Sequence, residues 1–198
     1  VELFYDTLKG YNETTEIFQR AEVREGNTGK YPKYQKNIYN ILKEHKPKNI
    51  LEIGTNGCHS ACLFLNASPG VKLYTFDIGE HEYVKPCVEV LKNLNFDINL
   101  TIGDSTSTVP EFFKNNKIKF DFIFIDGGHG WENIQTDWDN VQPLIHEKTV
   151  IVFDDYWLPE LNWGSNRIVD NLDMEKWNVE VMPLSDSCDW EGRPCKLH

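Results

Sequence analysis

The stretch Lys119–Tyr156, KFDFIFIDGGHGWENIQTDWDNVQPLIHEKTVIVFDDY, constrains the fold of this chain more than any other. It reads as strand, loop, helix, strand, loop. The apolar run Phe120–Ile125 ends in Asp126, and the run Thr149–Phe153 ends in Asp154 and Asp155. Between them Trp131, Ile134, Trp138, Val141 and Ile145 recur at intervals of three and four, the stripe of a helix facing a sheet. A strand–helix–strand unit of this size has parallel strands and a right-handed crossover. Both strands then end at one sheet edge, and neighbouring strands lie about 4.8 Å apart. Asp126 is therefore expected beside Asp154 and Asp155, with His129 three residues further on. Three carboxylates and an imidazole at one edge suit a metal site with a base beside it. The competing reading is that these aspartates only cap loops and helices.

The chain has 198 residues, 40% hydrophobic and 13% aromatic, which fits one α/β domain with a sizeable core. Its formal net charge of -11 and the lack of a dense Lys/Arg cluster argue against a nucleic-acid partner and against anionic membranes. No apolar run is long enough to span a bilayer, and no signal peptide is visible. Five cysteines without zinc-ribbon spacing point to reduced thiols and a cytoplasmic setting, although Cys188 and Cys195 could pair. The chain begins at Val1 rather than Met, which fits a trimmed chain or a domain of a larger one.

Ahead of the opening stretch, Val1–Lys30 is polar and poorly periodic, with Phe4, Tyr5, Tyr11 and Phe18 among charges. It reads as a short helix or two plus loops, either a flap over the site or a packing arm. Tyr34–His45 has helical spacing and stops before Pro47. Asn49–Ile53 is the first strand. Gly54 and Gly57 then allow a tight turn into a helix from Ser60 to about Ala67. A glycine turn between strand and helix lets a ligand approach main-chain N–H groups. It is not a dinucleotide fingerprint, because Asn56 stands where a glycine is needed. Cys58, His59 and Cys62 allow a metal reading, with core packing as the alternative.

The second strand, Val71–Phe76, ends in Asp77, placed to accept ribose hydroxyls or to cap a helix. A helix follows over about Glu82–Leu94. The third strand, Phe96–Ile102, ends in Gly103-Asp104-Ser105. Asp104 could accept from an adenine amino group, or cap a helix near Val109–Asn115. After Asp155 comes an aromatic segment, Tyr156 to Trp163. Asn166–Met174 reads as a helix, Trp177–Leu184 alternates like a strand, and Lys196–His198 could close the sheet.

In register, Glu52-Ile53-Gly54-Thr55-Asn56-Gly57-Cys58-His59-Ser60, Asp77, Gly103-Asp104-Ser105, Asp126-Gly127-Gly128-His129-Gly130-Trp131 and Asp154-Asp155-Tyr156 resemble class I S-adenosylmethionine-dependent methyltransferases. The resemblance covers about residues 48–157. It departs at Cys58, where the family usually has Gly, and at Trp131, where it usually has Tyr. It implies a Rossmann-like, seven-stranded, mostly parallel sheet with helices on both faces and an antiparallel last strand. Residues 1–46 would form an N-terminal helical arm or substrate lid, and 47–198 the core, together one domain. S-adenosylmethionine would touch Glu52, Gly54, Asn56 and Ser60 with its methionine part, Asp77 with its ribose, and Asp104 and Ser105 with its adenine.

The acids after the fourth and fifth strands resemble those of metal-dependent O-methyltransferases acting on catechols and sugars. By that resemblance Asp126, Asp154 and Asp155 would hold a divalent cation, Mg²⁺ or Mn²⁺, and Asp126 would thereby serve catalysis. His129 stands where the sugar-modifying enzymes carry their base, the alternative being a loop histidine bonded to backbone. The expected acceptor is a hydroxyl of a small molecule, preferably a sugar or glycan that the aromatic segment could stack against. Two other classes stay open. One is a metal-independent or hydroxylase-like relative. The other is a non-catalytic domain that binds a cofactor or partner.

Overall fold

The computed structural model describes residues 8–21, 26, 32–114, 116–156, 163–180, 182–183 and 196–197. Strands β1 (Asn49–Ile53), β2 (Lys72–Asp77), β3 (Asp97–Ile102), β4 (Phe122–Ile125) and β5 (Val150–Phe153) form one parallel sheet in the order β3-β2-β1-β4-β5. Chain order reverses at β1. A crevice outside the C-terminal ends of the strands forms at such a switch point, and ligands bind there in open α/β sheets.

Helices cover both faces. Successive strand residues point to opposite sides of a sheet. Ile50, Leu73, Phe122 and Phe124 therefore pack against α1 (Tyr11–Gln19), α2 (Pro32–His45), α3 (His59–Ala67) and α4 (Val84–Asn93). Leu51, Ile53, Phe76, Ile123, Ile125 and Phe153 pack against α5 (Ser105–Lys114), α6 (Trp131–Val141) and the short α7 (Asn166–Val169). This double burial is why β4 reads Phe-Ile-Phe-Ile without a polar residue, the mark of a parallel strand covered on both faces. No described helix is long and apolar enough to cross a membrane.

Helix α5 begins at Ser105, four residues before the helix expected near Val109–Asn115. Asp104 Oδ1 accepts the Thr106 amide (2.9 Å) and hydroxyl (2.7 Å), so the helix is capped at its true start. Pro110 lies inside it and cannot donate to the Thr106 carbonyl. Asn140 of α6 makes up that loss, donating its side-chain amide to Thr106 O at 3.2 Å.

The C-terminal part departs from expectation. Seven strands were expected, and the described sheet has five, all parallel. The alternation over Trp177–Leu184 serves docking rather than a ladder: Trp177 and Val179 pack onto the α6 side, with Trp177 edge-on to Trp138 at 5.4 Å. Among the described residues of that run, Met182–Pro183 (β6) is the part in a ladder, and it pairs antiparallel with β7 (Lys196–Leu197), outside the main sheet. Pro183 has no N–H to prolong a ladder. The helix expected over Asn166–Met174 stops at Val169, and Asp173 Oδ1 then accepts the Glu175 amide (3.0 Å) to start a separate turn. Cys188, Cys195 and residues 157–162 of the aromatic segment lie outside the described residues.

Candidate functional site

The candidate site at the C-terminal edge of the sheet has two halves, and Gly54 lies between them against the Asp126 backbone. On one side, the loop after β1 is held by Asp77, whose Oδ2 accepts the amides of Thr55 (3.1 Å) and Asn56 (2.9 Å) while its Oδ1 accepts Gly79 N–H (2.7 Å). Glu52 lies beneath the loop, fully buried, with its oxygens accepting the hydroxyls of Ser60 (2.5 Å) and Thr75 (2.6 Å). Burial pushes its carboxyl up to about 7, and those hydroxyl bonds offset part of that rise. Asp104 and Ser105 stand further along the edge, at the start of α5. Asp104 makes the capping bonds of the alternative reading, and the Thr106 hydroxyl and amide hold its carboxyl below the usual range.

Helix α1 rests on this loop. Phe18 packs edge-on against His59 (4.8 Å) and Tyr83 (5.2 Å), and the Tyr83 hydroxyl donates to Asn56 Oδ1 at 2.6 Å. Cys58 is buried with a left-handed backbone (φ 63), a conformation in which a glycine would be less strained. Among the described residues Cys58, His59 and Cys62 form no metal-competent group, so core packing accounts for them. Burial pushes the His59 imidazole down to about 4, and neither of its nitrogens makes a hydrogen bond among the described residues.

On the other side, β4 and β5 end side by side, as the strand–helix–strand reading required. Oxygens of Asp126 and Asp155 and a ring nitrogen of His129 lie within 4.8 Å of one another. His129 Nδ1 pairs with Asp155 Oδ2. Asp155 reaches it from a left-handed backbone (φ 54), and His129 O accepts the Gly164 amide at 2.8 Å, which ties this loop to the segment after β5. Asp154, expected as the third ligand, is outside that group. Its Oδ1 accepts the Asp155 amide (2.9 Å), and its Oδ2 accepts the hydroxyl of Tyr34 (3.1 Å).

These acids crowd one another. Burial pushes Asp126 well above the carboxylate range, and the neighbouring Asp154 and Asp155 push it further. Burial and then Asp155 push Asp154 up to about 7. Among the described residues no Lys or Arg pairs with any of the three. A bound cation would relieve that repulsion, and an oxygen-rich donor set suits a hard divalent ion.

Sequence reading missed two polar groups. Tyr34 looked like one more residue of a helix stripe. Asp137 sits at the position between Ile134 and Trp138 that completes the buried stripe of α6, and it is 0% exposed. Among the described residues neither of its oxygens makes a well-formed hydrogen bond, and burial pushes its carboxyl up to about 6 despite the nearby Ser105 hydroxyl. A carboxyl whose folded pKa lies above its unfolded value favours the folded state while protonated. That contribution is present at low pH and fades as pH rises from about 4 through about 6. Asp137→Asn is therefore expected to melt close to wild type at pH 4 and to be more stable at pH 8, by an upper limit on the order of 3 kcal/mol. Equal melting differences at both pH values would reject this account.

Residues 51–156 match a protein family described as methyltransferase domain. No curated protein matches significantly. Solved structures do. An O-methyltransferase from Bacillus cereus in complex with SAH aligns with a TM-score of 0.76 at 20% identity, over 99% of this chain and 94% of that one. CalS11, a TDP-rhamnose 3'-O-methyltransferase of calicheamicin biosynthesis, aligns with a TM-score of 0.61 at 14% identity, over 98% of this chain and 94% of that one. A Staphylococcus aureus structure provisionally assigned as a caffeoyl-CoA O-methyltransferase aligns with a TM-score of 0.55 at 20% identity, over 74% of this chain. This chain spans 65% of that protein's length. At these identities the likeness is one of fold.

Proposed function

The chain belongs to the methyltransferase-domain family, and on that premise we propose that it is an S-adenosylmethionine-dependent O-methyltransferase that uses Mg²⁺ or Mn²⁺ and acts on a hydroxyl of a small carbohydrate. The observation that carries this reading is the His129–Asp155 pair beside Asp126, at the edge where the β1 loop ends. S-adenosylmethionine, when bound, supplies the sulfonium methyl group. Gly54, Asn56 and Ser60 line its methionine part, with Glu52 fixing Ser60 from below. Asp77 takes the ribose, and Asp104 and Ser105 the adenine end. A divalent cation, when bound, lowers the pKa of the acceptor hydroxyl and fixes its line of attack.

The chain's own part is proton transfer and placement. Asp155 accepts the Nδ1 proton of His129, which sets the tautomer in which Nε2 takes the acceptor's proton. Trp163 is half exposed and lies nearly parallel to the imidazole, 6.5 Å away, an apolar platform for a sugar ring. CalS11, whose acceptor is a TDP-sugar, supports the carbohydrate class. The same His–Asp pair favours a second reading, in which the base acts without a cation.

Mass spectrometry of sugars and phenols incubated with S-adenosylmethionine and divalent metal tests both. A sugar product heavier by one methyl group is expected, lost with EDTA and restored by Mg²⁺ or Mn²⁺. Activity that survives EDTA would leave the metal-free reading. No binding of S-adenosylmethionine at near-millimolar concentration would sink the methyl-transfer proposal.

A further inference from the structure

Asp137 has no part in the chemistry above, yet it is a buried acid on α6, and among the described residues both of its oxygens lack a well-formed hydrogen bond. Buried polar atoms without partners are rare in native structures, and each calls for a cause. A Cβ on Gly127 would lie 3.3 Å from Asp137 Oδ2, so the carboxyl sits against the loop after β4, at the edge where the strands end. Asn140, three residues on and so on the same side of α6, donates to Thr106 O in the first turn of α5 at 3.2 Å. Asp137 meets the neighbouring residue of that turn, because the Ser105 hydroxyl is the group that pulls its carboxyl down against burial. Two polar side chains of α6 thus brace the residues that open α5. Ser105 is half-buried, and Asp104 beside it is exposed.

We propose, on the S-adenosylmethionine reading above, that Asp137 is a positioning residue for recognition of the purine: its carboxylate draws in the Ser105 proton, so that Ser105 meets the ligand as an acceptor and selects a 6-amino over a 6-oxo purine. A hydroxyl has one proton and two acceptor lone pairs, and an ionised carboxylate only accepts. With its proton given to Asp137, Ser105 has only lone pairs left for the ligand. Asp104 beside it is a second acceptor. Two adjacent acceptors match an amino group, which has two protons to donate, and oppose a carbonyl oxygen, which has none. A leucine at position 137 would complete the apolar stripe of α6 with Ile134, Trp138 and Val141, but it would leave the Ser105 hydroxyl free to turn and donate.

Calorimetry of the intact protein at pH 8 with S-adenosylhomocysteine and its 6-oxo analogue, S-inosylhomocysteine, tests this without acceptor or metal. Wild type should bind the 6-amino ligand at least ~10-fold more tightly, as expected where the wrong base leaves a polar group unpaired. Asp137→Leu should lose most of that preference, chiefly by gaining affinity for the 6-oxo ligand. Ser105→Ala should lose it too, and the double variant should lose no more than Asp137→Leu, because both changes act through one hydroxyl. Asp137→Asn, whose amide lets Ser105 donate or accept, should fall between. The stability gain expected of Asp137→Asn at pH 8 runs opposite to this loss, so a loosened fold cannot mimic it. Equal affinities in wild type, an unchanged ratio in Asp137→Leu, or additive losses in the double variant would overturn the inference and leave the cofactor reading standing. Equal weakening of both ligands in Asp137→Leu would mark a purely structural role and would overturn it as well. If Asp137→Leu fails to fold, Asp137→Asn and Ser105→Ala decide, and wild-type preference in either would overturn the role of Asp137. No binding of either ligand by wild type would overturn the cofactor reading together with this inference.

Discussion

Gly54→Ala is expected to abolish binding of S-adenosylmethionine and to disturb the acid cluster at the same time. A Cβ at this position would lie 1.8 Å from the carbonyl oxygen of Asp126 and 2.6 Å from its carbonyl carbon. Both are backbone atoms at the end of β4 and cannot swing aside like a side chain. The residue also has φ +97, a region in which an alanine is strained. Relief requires moving either the β1 loop, which Asp77 clamps through two amides, or the strand end that carries Asp126. The expected loss is at least ~100-fold in affinity for the cofactor, equivalent to about 2.8 kcal/mol. Calorimetry with S-adenosylmethionine and a Mn²⁺ titration should both report it. Unchanged affinity for the cofactor would mean that the ligand does not lie against this loop.

His129→Ala is expected to lower turnover by about 10²–10⁴-fold, the usual contribution of a positioned general base. Affinity for S-adenosylmethionine should stay close to wild type, because His129 lies on the β4 side of the crevice and the cofactor loop on the β1 side. The variant also separates two roles for the imidazole. A base that leaves the cation to carboxylates predicts slow turnover with nearly normal Mn²⁺ affinity. A direct ligand predicts that both collapse together. Turnover equal to wild type would remove His129 from the chemistry, and the exposed imidazole would be a loop feature bonded to Asp155.

Much of the sheet could be read from pattern alone. β1 falls where a short apolar run predicted it, and β4 and β5 end side by side because their helix imposes a right-handed parallel crossover. The gathering of Asp126, His129 and Asp155 followed from that local geometry. What pattern could not supply was long-range partnership. Tyr34 and Asp154 are 120 positions apart, and helical spacing shows only that Tyr34 faces inward, not which acid it meets. Asp137 carried a signal that hydrophobic patterning discards, an acid on the buried stripe of α6. The C-terminal strand was overread because alternation marks a half-buried segment, and Trp177 and Val179 are half-buried against helix α6 rather than a neighbouring strand.

The left-handed backbone at Asp155 also restricts how this site can vary by mutation. Glycine, asparagine and aspartate accept such a φ readily, and most other residues do so at a cost of about 1–2 kcal/mol. The backbone thus narrows the tolerated alphabet before any ligand is considered. Within that alphabet, aspartate and asparagine differ by one charge and almost nothing in shape. Position 155 is therefore a place where drift or design could retune the charge of the cluster in a single step while leaving the chain path intact.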